Sequence, residues 1–152
     1  MKKKEQTRAY SRETDTTTIN ESRYRVLLAE DDYEMRSLLA MALRKSGYDV
    51  VECSDGTGLL TYLAAFLLPE EFAREPVDLI ISDIRMPGMD GFQVCEKLKS
   101  DPGSQDVPII FISALYKTQD KVKALEVGGV DYVTKPFQKD EVLARVRTHL
   151  AL

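Results

Sequence analysis

Short, continuous apolar runs, separated by stretches of helical periodicity, constrain this chain more than any other feature. Val26-Leu27-Leu28-Ala29 and Ile109-Ile110-Phe111-Ile112 are wholly apolar, and Val77 to Ser82 is similar, broken by Asp78. Runs this short suit strands buried on both faces, and such strands belong to a parallel sheet. Tyr48 to Cys53, with Val50 and Val51, and Val130 to Thr134, with Tyr132 and Val133, are shorter strand candidates.

Helical stripes fall between the runs. Met35, Leu38, Leu39, Ala42 and Leu43 follow the spacing of one helix face, and Gly47 stops that helix. Leu60, Leu63, Ala64 and Leu67 repeat the stripe, and Val94, Cys95 and Leu98 give a shorter one. Val122 and Leu125 mark a fourth helix, and Leu143, Val146 and Leu150 a fifth, after Pro136. Five strands in strict alternation with five helices make a βα repeat. Right-handed crossovers wind it into a doubly wound α/β fold with helices on both faces. A flavodoxin-like five-stranded parallel sheet, order 2-1-3-4-5, is the expected architecture.

Charge divides the chain unevenly. Residues 1–23 carry six basic and four acidic side chains, only four apolar residues and five threonines, so the total of −4 leaves −6 for the rest. Such a segment cannot offset its ordering entropy by burial, and it is expected to be a flexible polar tail, with the domain proper at 24–152. Lys2, Lys3 and Lys4 make a patch too small to suggest a membrane or nucleic-acid grip. An acidic body argues against direct nucleic-acid binding by this domain. The longest nearly uncharged stretch, Gly56 to Pro69, is too short to span a bilayer. No apolar segment follows the basic start, so a secretory signal is not expected and the expected location is cytoplasmic. Cys53 and Cys95 lie far apart, and His149 is the sole histidine, which excludes Cys-x-x-Cys and Cys/His zinc chemistry. Both thiols sit in apolar stripes and are expected to be buried and inert.

Ligands of an open α/β sheet bind outside the carboxyl ends of its strands, where the strand order reverses. Glu30, Asp31 and Asp32 follow the first run, Asp83 the third, Ser113 the fourth, and Lys135, Pro136 and Phe137 the fifth. Clustered carboxylates raise one another's pKa unless a cation joins them. Hard oxygen ligands of this kind select Mg²⁺. A lysine suits a phosphoryl oxygen as a point charge, and a serine hydroxyl can donate to the same group. Metal, lysine and hydroxyl around a carboxylate describe a site for phosphoryl transfer onto that carboxylate.

These stretches carry a resemblance. Val26–Asp32, Asp83-Ile84-Arg85-Met86-Pro87-Gly88-Met89-Asp90-Gly91, Ile112-Ser113-Ala114 and Asp131–Phe137 resemble the receiver domain of bacterial two-component response regulators. The likeness covers essentially Arg25 to Leu150. It implies that Asp83 accepts a phosphoryl group from a sensor histidine kinase. It further implies Mg²⁺ bound by Asp31, Asp83 and the backbone carbonyl of Arg85, with Glu30 acting mainly through water. Ser113 and Lys135 would hold the phosphoryl oxygens, and Tyr132 would be the switch aromatic that turns inward when Ser113 moves. Lys135-Pro136 would be a cis peptide. The implied protein is not an enzyme in the ordinary sense, only a phosphoacceptor with slow self-dephosphorylation. Its implied partners are the kinase and a downstream protein or a missing output domain, with a phosphorylation-dependent homodimer as a further expectation. With no effector domain up to Leu152, the chain is expected to be either a stand-alone receiver or a piece cut from a longer chain. Glu30 and Ser113 stand where the family often has Asp and Thr, and both keep the chemistry. The connection between Asp55 and Asp83, through Phe66 to Arg74, is longer than usual for the family.

Plainer roles compete at several positions. Asp32 is expected to cap the first helix, Asp90 to cap or turn before Gly91, and His149 to sit at the surface or a helix end. Met86, Met89 and Phe92 are expected to pack. Three rival functions are weighed. An aspartate-nucleophile phosphohydrolase using Mg²⁺ usually needs a second Asp two positions after the nucleophile, where Arg85 stands. A flavodoxin needs a phosphate-cradling loop where Glu30-Asp31-Asp32 would repel phosphate. A degenerate receiver that only binds proteins would not need the full acid, hydroxyl and lysine set.

Overall fold

The computed structural model describes residues 23–64 and 76–151. The strands are β1 (Arg25–Ala29), β2 (Asp49–Cys53), β3 (Leu79–Asp83), β4 (Ile109–Ser113) and β5 (Asp131–Thr134). Between and after them run α1 (Tyr33–Lys45), α2 (Gly56–Ala64), α3 (Gly91–Lys99), α4 (Thr118–Glu126) and α5 (Lys139–Leu150). All strand pairings are parallel and the order is β2-β1-β3-β4-β5, as expected. The order reverses between β1 and β3, so their carboxyl ends open the crevice that holds a ligand in this class of fold.

Alternate residues of each central strand feed two cores. Val26, Leu28, Ile81, Ile110 and Ile112 face α1 and α5 with Leu39, Leu43, Val142 and Val146. Leu27, Ala29, Ile80 and Phe111 face the other helices with Leu59, Leu63, Cys95, Leu98 and Ala124. Burial on both sides is why the runs carry no polar alternation.

Three helical stripes are corrected. Leu38 of α1 is exposed, and the helix buries Leu39, Ala40, Ala42 and Leu43 instead. Val122 and Leu125 of α4 are also exposed, and Ala124 is that helix's buried residue. In α2 the buried residues are Gly56, Leu59 and Leu63, while Ala64 is exposed. β3 begins at Leu79 rather than Val77; Asp78 meets the start of β1, its carboxylate accepting the Arg25 amide at 2.7 Å and its amide donating to the Arg25 carbonyl at 2.8 Å. The tail expectation for residues 1–22 and the readings of Leu67 and of the connection 66–74 fall outside the described residues.

Candidate functional site

Parallel strands end in register here. Asp83 is the last residue of β3 and Ser113 the last of β4, and Glu30 directly follows β1. Glu30 stays on the sheet, since its amide donates to the Cys53 carbonyl at 3.0 Å. Its side chain is fully buried, Asp83 is buried, and Asp31 is exposed at the rim. One carboxylate oxygen from each of the three lies within 4.8 Å of the others.

Lys135, just beyond β5, reaches into this cluster. Its Nζ donates to Asp83 Oδ2 at 2.6 Å and stands 2.7 Å from Glu30 Oε1. Asp83 Oδ1 accepts the Ile84 amide at 2.6 Å and the Arg85 amide at 3.3 Å. The Lys135-Pro136 peptide is cis, as expected. Burial pushes the Glu30 carboxyl above its ordinary pKa, against the pull of Lys135 and the Asp32 amide. Burial also works against charge on Lys135, but hydrogen bonds to Asp83 and Glu30 outweigh it and hold the ammonium above the usual lysine value.

Ser113 is buried, and its Oγ accepts the Leu115 amide at 3.1 Å. The half-buried Tyr132 donates its hydroxyl to the Leu115 carbonyl at 2.7 Å. Ser113 and Tyr132 therefore meet on one loop residue. Arg85 is exposed and follows Asp83 by two residues.

The donor set fits a small hard cation. Three carboxylates face one lysine, leaving an excess of negative charge in a partly buried crevice. Glu30 Oε1 is buried and faces the Lys135 ammonium at 2.7 Å, while Asp83 shares that same lysine and Asp31 lies open at the rim, so the one cation balances only part of the carboxylate charge.

The plainer roles fall as follows. Asp32 caps α1, accepting the Met35 amide at 2.9 Å. Asp90 caps α3 in a reciprocal box with Gln93. Phe92 is buried in the core, and Met86 and Met89 pack partly buried against that same core. Cys95 is buried and Cys53 half-buried, and burial pushes both thiols up to about 11, so both remain protonated near neutrality. His149 is more engaged than a surface residue: its Nε2 lies 3.1 Å from Asp131 Oδ2. Arg36 and Glu52 were not singled out in the sequence. Arg36 falls off the apolar stripe of α1, and its contacts reach the residue after β1, a residue of β2 and a residue of its own helix.

The model of the response regulator receiver domain matches residues 26–147, and the chain belongs to that family. The transcriptional regulatory protein YrkP of Bacillus subtilis (strain 168) is 38% identical over 127 residues, covering 84% of this chain and 49% of that protein. The DNA-binding dual master transcriptional regulator RpaA of Synechocystis is 39% identical over 126 residues, covering 83% of this chain and 48% of its own. The chain thus spans about half the length of the curated relatives it matches. Among solved structures, the receiver domain of the sensor histidine kinase PA1611 from Pseudomonas aeruginosa PAO1 has a magnesium ion coordinated in its active-site cleft. It superimposes with a TM-score of 0.71 at 26% identity, covering 86% of this chain and 100% of that one. Among the described residues no helix is long and apolar enough to cross a membrane.

Proposed function

We propose that this chain receives a phosphoryl group on Asp83 from the phosphohistidine of a sensor kinase and so switches a protein-binding surface. The observation that carries this reading is the setting of the Asp83 carboxylate. One oxygen is held by two backbone amides, the other by Lys135, and two more carboxylates stand beside it. In the transfer, the phosphorus–nitrogen bond breaks, a phosphorus–oxygen bond forms at Asp83, and the imidazole leaves. The amides of Ile84 and Arg85 orient the carboxylate, and the Lys135 ammonium attracts the incoming phosphoryl oxygens. Ser113 Oγ accepts the Leu115 amide, which leaves its O–H to donate to the same oxygens. Glu30, Asp31, Asp83 and the Arg85 carbonyl would hold Mg²⁺, which supplies positive charge against the charge developing on the phosphoryl oxygens.

Homodimerisation or a downstream protein would read the switch, and residues 24–152 would form the switching unit. The regulators it resembles act on DNA, and the acidic body points to a protein contact rather than direct DNA contact by this domain.

Incubation with acetyl phosphate and Mg²⁺ tests the reading. One base-labile acyl phosphate is expected on the wild type and none on Asp83→Asn. Equal labelling of both proteins would remove Asp83 from the role.

A further inference from the structure

Arg36 lies in the second turn of α1 with its side chain largely covered, 14% exposed. Helical side chains lean toward the amino terminus, and this one reaches back over the turn that carries the acidic cluster. Its Nη1 donates to the backbone carbonyl of Glu30 at 2.7 Å. Its Nε donates to Glu52 Oε1 on β2 at 3.2 Å, and its guanidinium lies 5.5 Å from the centre of the Tyr33 ring. Glu52 is in turn braced by Arg44 at 3.1 Å. The guanidinium is thus fixed from the strand side and the helix side, and its remaining reach goes to one carbonyl.

That carbonyl belongs to the residue whose carboxylate touches Lys135, and Asp31 follows it directly. From this geometry we infer that Arg36 is a positioning residue for the cation site, acting through the Glu30–Asp31 backbone. The inference rests on the reading of the acidic crevice as a Mg²⁺ site. Arg36 touches neither Asp83 nor Lys135 by any described hydrogen bond, so it has no part in the transfer itself. Its task is to hold two of the three carboxylates at one spacing before the ion arrives. Preorganisation of this kind matters because a small cation tolerates little distortion of its oxygen ligands.

Two substitutions separate positioning from simple bracing. Arg36→Lys keeps a positive charge near Glu52 but loses the planar fork that serves carbonyl and carboxylate together. Glu52→Gln removes the ionic brace and leaves the Arg36 fork intact. Mn²⁺ binding is followed by electron paramagnetic resonance with Mg²⁺ in competition, and amide hydrogen exchange is recorded on the metal-free proteins. Arg36→Lys is expected to weaken Mg²⁺ binding by about tenfold or more, the range seen when outer partners of metal ligands are lost. It should also speed exchange at the Asp32 amide, which donates to Glu30 Oε2 at 3.0 Å, more than at amides of β4. Glu52→Gln should do the same to a smaller extent. Metal affinity within about twofold of wild type in a folded Arg36→Lys protein overturns the inference, because the guanidinium is then a brace between α1 and β2. Equal acceleration of exchange throughout the sheet overturns it too. Failure of the wild type itself to bind Mg²⁺ overturns the site reading and this inference with it.

Discussion

Asp131 gathers donors from two elements. Its Oδ1 accepts the Tyr132 amide at 2.9 Å and Arg145 Nη1 at 2.9 Å, and its Oδ2 takes Arg145 at 3.0 Å and His149 at 3.1 Å. Burial pushes its carboxyl up, but His149, the Tyr132 amide and Arg145 outweigh it and hold the group below the ordinary value of 3.8. A depressed carboxylate pKa contributes stability above 3.8, and that contribution is lost as pH falls through the folded value. Asp131→Asn should therefore cost about 1 kcal/mol at neutral pH, with the difference narrowing as pH falls below 3.8. Urea denaturation at several pH values checks this, and a cost independent of pH would mean the side chain acts by packing alone. The sequence could not have shown this cluster. Arg145 and His149 lie 14 and 18 positions away from Asp131, and only the packing of α5 on β5 brings them to it. The carboxylates, serine and lysine of the crevice were legible for the opposite reason: each follows or ends an apolar run, and the parallel sheet puts all such ends together.

Elements were easier to place than their faces. In α4, Val122 and Leu125 look like a core stripe, yet the helix meets the sheet through Ala124. A side chain on the neighbouring Gly129 would come within 2.7 Å of the Phe111 ring and 2.9 Å of the Ala124 carbonyl, so there is room only for small residues at this approach. Periodicity weighs large apolar residues and misses a contact made by small ones. The same close approach recurs where α3 meets the end of β3. The Gly91 amide donates to the Ile84 carbonyl at 2.7 Å, and a Cβ there would stand 2.5 Å from the Asp83 carbonyl oxygen and 2.9 Å from Ile84 Cα. Those are backbone atoms of Asp83 and Ile84 at the strand end, and they cannot swing aside. Gly91→Ala is expected to cost about 2 kcal/mol or more and to slow labelling of Asp83, since the strand end must shift. Chemical denaturation together with acetyl phosphate labelling tests both halves. Wild-type stability would show that the α3 entry yields without strain.

At the scale of the molecule, the crevice and the α4–β5–α5 side share Leu115. Its amide donates to Ser113 Oγ and its carbonyl accepts the Tyr132 hydroxyl. On the proposed reading, a phosphoryl group on Asp83 that draws Ser113 Oγ toward it would lengthen the bond from the Leu115 amide. The loop would then shift against β4 and carry with it the carbonyl that accepts the Tyr132 hydroxyl. Val122 and Leu125 stand exposed on the adjoining helix, so a shift of this loop would alter a surface that carries apolar side chains. Converting a state populated at about 1% into one at about 99% takes about 5.5 kcal/mol of differential binding, and each gain of about 1.4 kcal/mol shifts the ratio about tenfold. Removing the Tyr132 side chain removes the hydrogen bond to the Leu115 carbonyl, the link by which the proposed switch would reach this surface. In Tyr132→Ala, Asp83 should label at the wild-type rate, because the carboxylate, Lys135 and the Ile84 and Arg85 amides are untouched. Phosphorylation should then strengthen self-association or partner binding less than it does in the wild type. Sedimentation equilibrium of both proteins, with and without acetyl phosphate and Mg²⁺, measures the difference. If phosphorylation shifts association equally in both, Tyr132 is ordinary packing and the signal leaves the crevice by another surface.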